Sequence, residues 1–184
     1  GAREGQFRAV VEEALRSHPR YMRIYAAAYH FYSPLSGGSD QAVDQYIKWA
    51  TSFAQEEDKG IVYARLYILA GNVYYHMGLY QRLDADWTRM RKGLADMVAR
   101  HPSMWNLHIQ AYHACIFGDR EVARSALKRI KADDNRPAAQ VFDKVWGSRR
   151  LMDACETALA SIDSGVPKVA EQIKSAGFEI TQPA

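Results

Sequence analysis

Six histidines are the first residues to weigh, because imidazole serves both as a metal ligand and as a general base. They are His18, His30, His76, His101, His108 and His113. His108 and His113 stand five residues apart, which puts them off a shared helix face. A zinc site on a helix uses a spacing of three or four with a carboxylate nearby, and the chain has no HExxH. His18 and His101 precede prolines at helix ends, where a cation suits the helix dipole. Paired carboxylates could perform acid-base chemistry. The candidates are Glu12-Glu13, Glu56-Glu57-Asp58, Asp84 with Asp86, and Asp133-Asp134. All fall on polar faces or in turns, as solvated charges do. No GxSxG elbow is present, and Cys115 is directed away from His113 by their helical spacing. Gly37-Gly38 lacks the lysine of a phosphate loop and reads as a turn. The residues therefore name no catalytic group, no metal and no cofactor.

The two cysteines, Cys115 and Cys155, lie on helical patterns beside small alanines. Buried free thiols are expected, with a disulfide as the alternative in an exported protein. Arg89, Arg91 and Lys92 cluster on one helical segment, and Lys128, Arg129 and Lys131 on another. Asp86, Asp96 and Glu121 dilute them, so solvated faces are expected and no nucleic-acid footprint. Net charge is +3 over 184 residues, with 48% hydrophobic and 24% charged residues, the composition of a globular protein. No apolar run reaches the roughly 20 residues of a membrane span. The chain opens Gly1-Ala2-Arg3, with its first methionine at Met22. That start is expected of a chain that has lost an N-terminal segment or of a piece of a longer protein, either cytoplasmic or exported.

The elements that must position these residues read as helices throughout. Apolar periodicity places them at about 5–17, 20–33, 40–56, 60–78, 84–100, 103–117, 120–132, 137–146, 149–162 and 166–176. The tail from Phe178 to Ala184 is frayed or extended. Tyr21, Tyr25, Tyr29 and Tyr32 form one line on a helix that is apolar nearly all round and so sandwiched. Ser39 or Asp40 caps the third helix, and Asp119 caps the helix after Gly118. The expectation is one all-α domain over residues 1–184.

Within that pattern Gly71, Tyr74 and Gly78 fall where a tetratricopeptide-type (TPR-like) hairpin needs a small contact, an aromatic and a turn glycine. Tyr80 and Trp87 serve the following helix, and Trp87, Met90, Leu94 and Met97 are its expected buried residues. Ala111 and Gly118 repeat the glycines' roles, with Ala123, Leu127 and Ile130 as the buried stripe. Gly78 and Gly118 are 40 residues apart against a usual period of about 34, so the array is irregular. The expected fold is a set of antiparallel hairpins stacked as a short TPR-like solenoid or bundle. Its inner groove would be lined by Arg65, Asn72, Tyr75 and His76, then by Trp105, His108 and Tyr112. A lysine of the TPR clamp for peptide C-termini is replaced by Ile68. The alternative is that these aromatics are covered by neighbouring helices.

Several ordered pieces resemble a known family. They are His18-Pro19-x-Tyr21, Tyr32-x-Pro34-x-x-Gly37-Gly38-Ser39 and Tyr63-Ala64-Arg65-Leu66-Tyr67. Asp86-Trp87-x-x-Met90-x-x-Gly93 and Ala114-Cys115-x-x-Gly118-Asp119 follow. The order resembles an uncharacterised bacterial domain-of-unknown-function family with TPR-like helices. The resemblance implies the fold and a bacterial source, and no reaction. The function expected is a non-catalytic module that binds a protein or peptide, such as an adaptor or a toxin-immunity protein, with homo-oligomers open to it. A helical enzyme, or a small-ligand binder built from scattered helix residues, is the alternative.

Overall fold

The computed structural model describes residues 2–71, 82–132, 145–146 and 149–163. Among them are eight α-helices and no strand. They are α1 (Ala2–Ser17), α2 (Met22–Tyr32), α3 (Asp40–Thr51), α4 (Lys59–Ala70), α5 (Trp87–Arg100), α6 (Met104–Ile116), α7 (Arg120–Ala132) and α8 (Arg149–Asp163). Short 3-10 turns occupy Pro34–Ser36 and Glu56–Asp58. The fold is all-α, as the periodicity requires. Where the sequence reads as one domain over 1–184, the chain divides into two compact units, Gly1–Gly93 and Leu94–Ala184. The division falls inside α5.

In the first unit α2 packs against α1, α3 and α4, and α3 packs on α4. Its core is tyrosine-rich: Tyr25, Tyr29, Tyr46, Tyr63 and Tyr67 are buried with Leu15, Ile47 and Leu66. Each buried ring removes a large apolar area from water while its hydroxyl needs a partner. Tyr46 donates to the Tyr25 carbonyl at 2.6 Å, and Tyr25 donates to the Pro19 carbonyl at 2.8 Å. Tyr21 leaves the expected line. It precedes α2, with ψ of 87°, and is 53% exposed. Ser39, rather than Asp40, caps α3, accepting from the Ala42 N–H at 3.1 Å. That helix stops at Thr51, short of the expected 56, and leaves Phe53 half-buried beyond its end.

The stretch from Leu83 to Asp86 is tied down by side chains of α3 and α4. Asp44 accepts from the Tyr67 hydroxyl at 2.8 Å and from the Asp84 N–H at 3.0 Å. Tyr67 also reaches the Asp84 carbonyl at 3.2 Å, and Lys48 pairs with the Asp84 carboxylate at 2.8 Å. Asp86 then caps α5 through the Arg89 N–H. Met90 is fully buried, whereas Trp87, expected in the core, is only half-buried because it opens the helix. Gly93 stands where α5 meets α4. A Cβ there would fall on the Gly60 carbonyl and against Ala64, so glycine permits the close approach.

In the second unit α6 and α7 form a hairpin. Gly118 makes its turn with φ of +71°, a left-handed conformation that favours glycine. Ser103 caps α6, and Asp119 caps α7 through the Val122 N–H at 3.1 Å. Ala123, Ala126, Leu127 and Ile130 are the buried stripe of α7, and α8 packs on that helix. Of the first hairpin only Gly71 is described, buried and helical at the end of α4. Tyr74, Gly78 and Tyr80 lie outside the described residues, as do the expected helix at 166–176 and all but the last two residues of the one at 137–146.

Candidate functional site

The expected groove residues are distributed over the chain as follows. Arg65 is half-exposed on α4 of the first unit. Asn72, Tyr75 and His76 lie outside the described residues. Trp105 and Tyr112 are half-exposed on α6 of the second unit. His108 belongs to the interior of that unit rather than to a groove wall, with no exposed surface. Its Nδ1 accepts from the Trp146 indole N–H at 3.0 Å. Burial moves its pKa below the ordinary value, so it is held neutral, as an acceptor must be.

Trp146 is the residue that sequence reading missed. It is nearly fully buried and meets the edges of both His108 and Tyr112, the latter at 5.5 Å between centroids. Burial pushes the Tyr112 phenol up to about 12. His113 lies edge-on to Tyr112 at 5.1 Å, and burial lowers its pKa to about 3. Cys115 and Cys155 form a disulfide between α6 and α8, with Cα atoms 6.1 Å apart. That corrects the expectation of free thiols. Helical spacing shows each cysteine's face but not that two faces 40 residues apart meet.

Glu13, Glu56, Glu57, Asp84 and Asp86 are exposed, as expected of solvated charges, and several carboxylates also make surface ion pairs or caps; Asp133 and Asp134 lie outside the described residues. Asp84 takes Lys48, Asp86 caps α5, and Glu12 pairs with Arg16 at 2.8 Å. Glu57 and Asp58 both receive Arg20, at 2.8 and 3.0 Å. These bonds, Asp58 first, raise the Arg20 pKa further. No group of three His, Cys, Asp or Glu side chains placed to hold a metal ion occurs among the described residues.

A concave surface does occur where the α1–α2 turn meets the link between α3 and α4. It is an open cleft of about 360 Å³ lined by His18, Pro19, Arg20, Tyr21 and Gln55. Arg20 closes one wall by bridging to the 3-10 turn at Glu56–Asp58. The Tyr46–Tyr25–Pro19 hydrogen bonds fasten the floor to α2 and α3. The Tyr21 N–H donates to the His18 carbonyl at 3.0 Å, which fixes the turn that presents both side chains. The result offers an aromatic face, a proline ring, an imidazole and an amide on a rigid frame. No known protein family, curated protein or solved structure matches the chain.

Proposed function

We propose that the chain is a non-catalytic protein-binding helical module, and that the cleft at His18–Tyr21 takes an extended peptide segment of its partner. The observation that carries this is the exposure of Tyr21 over a wall whose backbone is locked. Large aromatics beside Arg and Pro, held rigid before binding, are where binding energy concentrates. Gln55 and His18 can exchange hydrogen bonds with a peptide backbone, and Tyr21 and Pro19 supply apolar area. The TPR-like stacking and the resembled bacterial family belong to the same proposal. They are supported by what the motif residues do: Asp86 and Asp119 cap helices, Met90 and Ala114 are buried, and Gly93 and Gly118 meet backbone demands.

The test is a random-peptide display panned on the immobilised chain, with Tyr21→Ala alongside. Enriched peptides should bind wild type and lose about ten-fold in affinity on the variant. Peptides that bind both equally, or no enrichment at all, would remove the cleft as the docking site.

A further inference from the structure

Trp105, His108 and Tyr112, expected to line a groove, share one face of α6 with Cys115. Steps of three, four and three residues keep the four within about 80° of arc. That face is covered from within the second unit. Trp146, just before α8, meets His108 and Tyr112 edge-on and gives its indole N–H to the His108 Nδ1. Cys155 of α8 is bonded to Cys115 at the C-terminal end of the same face. Trp105, at the other end, is only half-buried.

The helices of this unit are not held equally. α6 and α7 form a hairpin with its own apolar interior, Leu107 and Ile116 buried on one helix and Leu127 and Ile130 on the other. On α8 the buried side chains among the described residues are Met152, Cys155 and Ala158, one of them the bonded cysteine. The ion pair of Glu156 with Lys131, at 2.7 Å, leaves the lysine 62% exposed and so contributes little. The other Glu156 oxygen, Oε1, is buried with no hydrogen-bond partner among the described residues, which opposes docking.

We propose that the Cys115–Cys155 bond is a redox latch. Oxidised, it holds Trp146 and α8 over the α6 face. Reduced, it releases them and bares His108 and Tyr112, while the α6–α7 hairpin stays folded. Ordering a 15-residue helix is opposed by conformational entropy, and against so small a buried face the covalent tether is the main restraint. The latch lies in the second unit and is independent of the cleft at His18–Tyr21.

The reductant is a dithiol. Cys115 is partly exposed and Cys155 is buried, so a thiolate reaches the Cys115 sulfur. A bond forms from the reductant to Cys115 Sγ, the Cys115–Cys155 bond breaks, and Cys155 leaves as a thiolate that takes up a proton. The second thiol of the reductant loses its proton and attacks its own partner sulfur. Cys115 then leaves as a thiolate and is protonated. The protein disulfide has gained two electrons, and the dithiol has become a disulfide.

The test is hydrogen exchange on the full 184-residue chain, first oxidised and then reduced with dithiothreitol. Reduction should speed exchange in α8 by about a hundred-fold and in α6 and α7 by less than about ten-fold. Hydroxyl-radical footprinting should label Trp146 and Tyr112 about ten-fold faster in the reduced chain. Re-oxidation with glutathione disulfide should restore both patterns. A Cys115→Ser, Cys155→Ser variant should show the reduced pattern without reductant and ignore dithiothreitol. Loss of protection in α6 and α7 in step with α8 would make the bond a staple of the whole unit and overturn the proposal. An α8 as protected after reduction as before, or protection that does not return on re-oxidation, would overturn it too.

Discussion

The two units solve the problem of holding short helices together by different chemistry. In the first, tyrosine hydroxyls reach across helices. Tyr46 bonds the backbone of α2, and Tyr67 bonds Asp44 and the chain at Asp84. In the second, a disulfide ties α6 to α8, buried His108 accepts from the Trp146 indole, and buried His113 packs edge-on to Tyr112. Hydrogen bonds of this kind contribute about 1 kcal/mol each and need their phenols protonated. A covalent tether contributes more, and answers to redox conditions instead. The difference teaches that similar helical patterns can be fastened by means with separate sensitivities, which solution conditions can separate.

The largest expected effect breaks the tether. A loop closed over a separation of 40 residues limits the unfolded chain by about 4 kcal/mol. A Cys115→Ala, Cys155→Ala double variant should lower the stability of the second unit by about that amount. Hydrogen exchange should show α1–α4 as protected as before. Equal loss of protection in both units would mean that they unfold together, and the comparison would fall.

The next effect is in pH. His113 goes from an ordinary 6.5 to about 3 in the fold, and His108 moves the same way. Below pH 6.5 the unfolded chain binds protons that the folded one refuses. The second unit therefore keeps this stability above about pH 6.5 and loses it as pH falls toward 3, at up to about 1.4 kcal/mol per pH unit per imidazole. Burial acts oppositely on the tyrosines, raising Tyr25 to about 12 and Tyr46 and Tyr67 in the same direction. Their contribution is complete below pH 10 and is lost as pH rises beyond it. Tyr112 gives the second unit a share of that alkaline loss. Denaturant melts between pH 7 and pH 4 should show a steeper acid loss for wild type than for His113→Leu. Identical slopes would mean that His113 does not control the acid edge.

The smallest effect sharpens the first unit's side of the comparison. Tyr67→Phe removes the hydroxyl between Asp44 and Asp84 while keeping the ring. It should cost about 1 kcal/mol and speed amide exchange at Asp84. An unchanged Asp84 amide would show that Lys48 and the Asp44 carboxylate hold the segment without it.

Local signals in the chain were the readable ones. Ser39 and Asp119 cap the helices they precede, and Gly118 turns a hairpin, because those effects act within a few residues. The candidate groove was less legible. Arg65 and Trp105 show surface, but periodicity did not distinguish His108 from them, since a polar residue facing a groove and one facing a buried tryptophan share one helical phase. The cleft was missed because its walls come from two turns. The Arg20 bonds to Glu57 and Asp58, 37 and 38 residues away, join them, and no local signal announces such a pairing.

The sequence by itself determined that this is an all-α protein, where its helices begin and turn, and which stripes are apolar. Those follow from the 3.6-residue period, from caps and from glycine, all of them short-range. Only the tertiary structure decided that the cysteines bond, that Asp44 meets Tyr67, and that Tyr21 stands exposed beside a cleft. Each of these depends on which faces of distant helices come into contact. Packing of whole side-chain surfaces settles that, and local preference does not encode it.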